Sequence, residues 1–160
     1  LALGLAALVS GCGSGASQQN QSLSSYVRAQ SPSAHTVRFQ LDAGLGSANG
    51  GFNFDGRSDG NLVYIVPLGW RVTMVVHNSG TFPHSAVVSN RSTSVSPVFD
   101  GASTPNPLVG MRAGSTQTIT FTAGRAGRYT IVCAVPGHAP EGMWIRFVVS
   151  RTASRASVSN

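Results

Sequence analysis

Three side chains with metal-binding chemistry stand at even spacing near the end of the chain: Cys133, His138 and Met143, within Ile131-Val-Cys-Ala-Val-Pro-Gly-His-Ala-Pro-Glu-Gly-Met-Trp144. A thiolate, an imidazole and a thioether are soft donors, and soft donors select copper over calcium, magnesium or manganese. Zinc accepts Cys and His but gains little from Met, and its sites recruit further thiolates or imidazoles or keep an open position. Copper held by two His and one Cys near a trigonal plane, with a long axial Met, needs one more imidazole than this loop supplies.

The chain has three other histidines. His84 lies in Asn78-Ser-Gly-Thr-Phe-Pro-His-Ser85, after one strand-like run and just before another, Ala86-Val-Val-Ser89. A sheet can hold a ligand rigidly at such a junction, so His84 is the expected fourth donor. His77 closes the run Arg71-Val-Thr-Met-Val-Val-His77 and reads as a solvated or hydrogen-bonded strand-end residue. His35 lies in a Ser/Pro-rich approach to the first strand and reads as a solvated linker residue.

The elements that must position these donors read as short strands separated by turn residues. Thr36-Val-Arg-Phe-Gln-Leu-Asp42 alternates apolar and polar residues as a half-buried strand does, and Phe52-Asn-Phe-Asp55 repeats the pattern. Leu62 to Val66, Trp70 to His77, Thr116 to Thr122, Gly127 to Cys133 and Trp144 to Val149 complete the set, rich in Val, Ile, Thr and aromatics. No long helical periodicity interrupts them. This pattern predicts an all-β antiparallel sandwich or barrel. Asn90 to Gly114, with Pro97, Pro105 and Pro107, is read as a long loop insertion before the last strands. It is expected either to vary as surface or to shield the metal through Phe99, Leu108, Val109 or Met111.

The ends have a different character. Leu1 to Val9 is an apolar run too short to span a bilayer, and Val9-Ser-Gly-Cys12 resembles the lipobox of bacterial lipoprotein signals. Residues 1–12 are therefore expected to be a signal segment ending at a lipidated Cys12, which leaves Cys133 for the metal and no disulfide framework. Residues 13–35, rich in Ser, Gln, Gly and Asn, are expected to form a flexible tether. Residues 36–149 are expected to be one domain and residues 150–160 a loose tail.

The formal net charge is +6; every basic residue is Arg, and only 10% of residues are charged, where roughly a quarter is usual. The arginines are scattered rather than clustered with aromatics, which argues against a nucleic-acid partner. Scarce carboxylates suit an acidic extracytoplasmic medium, since few ionised groups must be protonated there. A genome biased toward Arg, Ala and Gly gives the same composition.

The upstream His84 followed by Cys-x4-His-x4-Met resembles the cupredoxin family of mononuclear blue copper proteins. Within it, Phe52-Asn-Phe-Asp-Gly-Arg-Ser-Asp-Gly-Asn-Leu-Val-Tyr-Ile-Val-Pro-Leu-Gly-Trp70 and Cys133 to Trp144 are similar to the segments characteristic of sulfocyanins. The resemblance implies a Greek-key β-sandwich with one type 1 copper ion held by His84, Cys133, His138 and Met143. It further implies a single-electron carrier, at high potential if Ser85 hydrogen-bonds the Cys sulfur as the residue there commonly does in cupredoxins. An enzyme built on this domain would need further His pairs, and a dinuclear copper site would need a second nearby Cys. The reading is therefore a non-enzymatic carrier, with an exported copper-binding or delivery protein as the alternative. Expected partners are redox proteins such as a cytochrome or a terminal oxidase complex, met by a lipid-anchored monomer at the outer surface of the cell membrane. An apolar patch of Pro136, Ala139, Pro140 and Leu108 around His138 is the expected docking surface.

Overall fold

The computed structural model describes residues 22–160. The expected signal segment, Cys12 and residues 13–21 of the expected tether lie outside the described residues. Among the described residues no helix is long and apolar enough to cross a membrane.

Among the described residues, nine strands form two sheets. The first has the order β1 (Val27–Ser31), β2 (Thr36–Ala43), β4 (Arg71–Asn78), β6 (Thr116–Thr122). The second has β5 (Val87–Ser89), β7 (Gly127–Val132), β8 (Trp144–Ser150), β3 (Val63–Pro67), β9 (Ser157–Ser159). From β2 to β7 the chain crosses between the sheets at nearly every connection. That crossing makes β2 parallel to β4 and β3 parallel to β8, while the other pairs are antiparallel. The result is the expected all-β sandwich, with two mixed sheets rather than purely antiparallel ones. Alternation sets the core: Val37, Phe39, Leu41 and Ala43 of β2 and Val72, Met74 and Val76 of β4 face Tyr64 and Val66 of β3 and Ile145, Phe147 and Val149 of β8.

Both ends of the domain differ from expectation. Residues 27–31 of the expected tether form β1, and 157–159 of the expected loose tail form β9. The two are tied to each other: Gln30 Nε2 donates to the Ala156 carbonyl at 3.2 Å, and the Ala156 N–H donates to Gln30 Oε1 at 3.0 Å. Tyr26, Ala156 and Val158 are buried beneath them. These are short, Ser-rich edge strands whose order comes from backbone pairing and one polar bridge, so they carry almost no hydrophobic period.

Phe52-Asn-Phe-Asp55 is not a strand. Only Phe54 makes isolated bridges, to Ala43 and Arg57. The alternation of residue types does not become an alternation of burial, because the polar residues Asn53 and Asp55 are buried along with Phe54. Asn53 replaces a ladder with its own side chain: Oδ1 accepts from the N–H groups of Leu45 and Gly56, and Nδ2 donates to the Ala48 carbonyl.

Asp55 closes a second polar cluster. Its Oδ1 accepts from the Asp42 N–H at 2.7 Å, and Tyr26 Oη donates to its carbonyl. Tyr64 Oη stands 2.8 Å from the Gln40 carbonyl and 2.5 Å from Asp55 Oδ2. A phenol has one proton and can donate to only one of these acceptors. When Asp55 is protonated, it donates to Tyr64, and Tyr64 donates to Gln40, so every group is satisfied. Burial pushes Asp55 up to about 8, against the opposing hydrogen bonds from Tyr64 and the Asp42 N–H. The nearby Asp42 raises it further and Arg28 opposes. Burial and the same carboxyls push Tyr26 up to about 12 and Tyr64 well above the ordinary phenol value.

Candidate metal centre

The expected ligands reach one another because their strands do. β5 pairs with β7 through Val87 and Val132, which sets the residues before β5 beside the end of β7. Cys133 is the first residue after β7, and Met143 is the last before β8. Since Val132 pairs with Trp144, the two face each other, and the Cys133 N–H donates to the Met143 carbonyl at 3.1 Å. The loop between them folds on itself: the His138 N–H donates to Val135, and the His138 carbonyl accepts from the Met143 N–H.

His84 Nδ1, Cys133 Sγ and His138 Nδ1 thereby converge. The two nitrogens are 3.2 Å apart, Sγ is 3.4 Å from His138 Nδ1, and the three donor atoms lie within 4.8 Å of one another. Atoms bound to one ion at roughly 2.0–2.3 Å stand no more than roughly 4.6 Å apart, so the two measured separations fit a shared ion. His84, Cys133 and Met143 are fully buried, and His138 is 8% exposed. His35 and His77 are elsewhere: His35 stacks on Trp70, and His77 Nδ1 pairs with Thr116 Oγ1 at 3.0 Å.

Protonation states suit a metal. Burial, then the neighbouring His138, lowers His84 to about 4, and burial also lowers His138, both in the direction that favours the neutral, metal-binding imidazole. Burial raises the Cys133 thiol despite hydrogen bonds from the Ser85 and Val135 N–H groups and from Ser85 Oγ. The protein does not ionise this thiol by itself; a coordinated metal does. Such a donor set, soft and largely buried, fits copper.

Ser85 sits as the sequence suggested, in modified form. Its backbone N–H is 3.3 Å from Cys133 Sγ, whereas its Oγ is 3.7 Å away and accepts from the Ala134 N–H at 2.9 Å. The backbone makes the closer contact to sulfur, and the hydroxyl fastens the loop.

The 90–114 insertion is stitched to the His84 strand. Thr104 and Ala86 exchange hydrogen bonds, Val88 donates to Ala102, and Met111 pairs with His84 through both backbone bonds. Met111 alone among the four shielding candidates is buried against His84. Phe99 instead packs on Phe121 and Tyr129 in the core, while Leu108 and Val109 are exposed.

Residues without side chains were missed. A Cβ on Gly44 would stand 2.7 Å from His84 Nε2 and 2.8 Å from Gly80 Cα, and its φ is +73°. A Cβ on Gly110 would stand 2.8 Å from Val135 Cγ2 and 3.0 Å from the His84 nitrogen. Both glycines leave space for the His84 ring and backbone. Only the Gly-rich composition of residues 44–51 hints at this.

Comparison with known proteins agrees with this geometry. A family model described as the sulfocyanin (SoxE) domain matches residues 24–157. A sulfocyanin of Sulfolobus acidocaldarius is 34% identical over 115 residues, covering 64% of this chain and 58% of the relative, so the chain spans little more than half that relative's length. Reduced rusticyanin superposes with a TM-score of 0.55 at 25% identity, over 78% of this chain and 88% of that one. Auracyanin from Roseiflexus castenholzii superposes at 0.54 and 21% identity, over 71% and 96%, and shows the fold alone. Since the family match runs from the residues before β1 into β9 and takes in all four expected donors, the chain belongs to the sulfocyanin family of blue copper proteins.

Proposed function

We propose that this protein is a mononuclear copper electron carrier whose ligands are His84, Cys133, His138 and Met143, working at high potential between extracytoplasmic redox partners. What carries the reading is the convergence of two Nδ1 atoms and one thiol sulfur in a buried pocket. Bound copper supplies one-electron chemistry between its two oxidation states.

The chain's residues do the rest. Cys133 directly follows β7, and His84 is held just before β5 by its two backbone bonds to Met111, an arrangement that resists rearrangement when charge changes. Ser85 and Val135 N–H groups point at the Cys133 sulfur and withdraw electron density from it. Buried apolar surroundings and a weak thioether disfavour the more highly charged state, which raises the potential. A potential in the range of low-potential cupredoxins would count against this part.

Exchange with a partner takes place at the slightly exposed edge of His138. Exposed Pro136, Pro140 and Leu108 surround that end of the molecule, and a groove of ≈410 Å³ lined by Val95, Val135, Pro136, Ala139 and Pro140 lies beside them. An apolar patch of this kind suits a small, quickly released interface. The partner is a cytochrome or a terminal oxidase complex, and a lipid on Cys12 confines the monomeric carrier to the outer membrane surface near it. His35 and His77, engaged elsewhere, favour a carrier over an oxidase.

Spectroelectrochemical titration of the copper-loaded protein tests the carrier against the delivery alternative. A reversible one-electron wave with metal retained through repeated cycles is expected. Release of Cu(I) to a mild chelator on each reduction would instead assign copper delivery.

A further inference from the structure

The loop bearing Met143 is held from outside as well as by its own backbone hydrogen bonds. The Glu141 carbonyl accepts from Asn49 Nδ2 at 2.6 Å, the Gly142 carbonyl from the Asp59 N–H at 2.9 Å, and the Trp144 carbonyl from the Gly60 N–H at 3.0 Å. All three donors come from one stretch, residues 49–60. The same stretch sets Phe52 edge-on against the His138 ring, with centroids 4.9 Å apart and an interplanar angle of 68°. Phe82 stacks on the outer side of Phe52 at 5.5 Å and 7°.

Asn49 joins the two contacts. Its Nδ2 also donates to the Phe52 carbonyl at 2.8 Å, so one amide group ties the residue that packs on His138 to the residue two before Met143. Its backbone is left-handed, with φ +46° and ψ 42°, a conformation that Asn tolerates better than most residues. Position 49 therefore asks for two things together: a left-handed backbone and a side chain with two donor hydrogens. Gly and Asp meet the first only, because Asp when ionised accepts and does not donate.

We propose that Asn49 is a positioning residue of the metal centre, whose side-chain amide fixes the Glu141–Met143 turn relative to Phe52 and His138. The inference rests on the reading of His138 and Met143 as ligands. Its physical basis is that a thioether would be the weakest donor to a bound copper. A weak bond does not set its own length; the loop that carries the sulfur does. Cys133 and His84 are fixed by strands, so loosening the Asn49 link moves the Met143 sulfur and leaves the thiolate bond in place.

Asn49→Gly and Asn49→Asp test this. Asn49 is exposed, so neither variant removes core packing. Both are expected to keep an intense blue band but to change the intensity ratio of the two sulfur-to-copper bands and shift the potential, Asn49→Asp more than Asn49→Gly. In the metal-free protein, the Met143 and Gly142 amides of Asn49→Gly should exchange hydrogen at least tenfold faster, while amides of β7 and β8 do not change. Spectra and potentials identical to the parent in both variants, or unchanged exchange at Met143, would overturn the proposal. A parent protein that shows no blue band would overturn the ligand reading instead, and the metal-free exchange would still decide the role of Asn49.

Discussion

Two of the clusters of buried polar groups in the interior, around Asp55 and around Cys133, are finished in different ways. Around Asp55, each oxygen finds a partner once a single proton is supplied, with Asp42, Tyr26, Tyr64 and Gln40 closing the network. Around Cys133, two imidazole Nδ1 atoms and a buried thiol point at one another; the sulfur also accepts from the Ser85 and Val135 N–H groups, but the two nitrogens have no other partner among the described residues. Protein interiors rarely leave buried polar groups in such a state. The first cluster is completed by a proton and serves stability; the second, on the proposed reading, would be completed by a metal and serve function.

The largest expected effect comes from filling the space behind His84. Gly44→Ala would drive a methyl group into the His84 ring and strain a positive φ, so it should abolish most of the blue band and cost about 1–3 kcal/mol of stability. Copper titration followed in the visible, with thermal unfolding of the metal-free protein, checks both.

The second prediction concerns the other cluster. The folded-state value of Asp55, about 8, lies above its ordinary 3.8, so the folded protein binds the proton more tightly than the unfolded chain does. Stability from this group is fully present below about pH 4 and is lost as pH rises toward about 8, at up to about 1.4 kcal/mol per pH unit. Asp55→Asn keeps the donor and acceptor pattern of the neutral carboxyl and should flatten that slope. Denaturant unfolding from pH 4 to 8 checks this, and an equal slope in parent and variant would mean Asp55 is ionised throughout.

Phe99→Ala sharpens the contrast between core and site. Phe99 packs on Phe121 and Tyr129, so its loss should cost about 1–3 kcal/mol while leaving the visible spectrum unchanged. A spectral change would restore Phe99 to the role of metal shield. Ser85→Ala is expected to act least on the metal, because the closer contact to sulfur is from the backbone N–H. It should lower the potential slightly and destabilise by about 1–3 kcal/mol by leaving the Ala134 N–H unpaired.

The two clusters were unequally legible in the sequence. Metal chemistry restricts residue types, so Cys133, His138 and Met143 stood out in one loop, and His84 followed from its place between strands. The Asp55 cluster did not stand out, because alternation in Phe52-Asn-Phe-Asp55 was read with the apolar residues inward. Two buried polar side chains that build their own hydrogen-bond network reverse that rule. Gly44 acts by being absent from a space, which composition cannot express. β1 carries almost no hydrophobic period to mark its short hairpin with β2, and β9 is held by partners far away in sequence, β3 and the Gln30 bridge to Ala156. The strands with strong alternation, β2, β4 and β8, were read nearly to their ends.

The most direct test of the account is the visible spectrum of the purified protein titrated with Cu(II), beside Cys133→Ser. One equivalent should produce an intense blue sulfur-to-copper band in the parent and none in the variant, with both proteins folded. A correctly folded parent that stays colourless, or a variant that keeps the band, would contradict a copper–thiolate centre at Cys133.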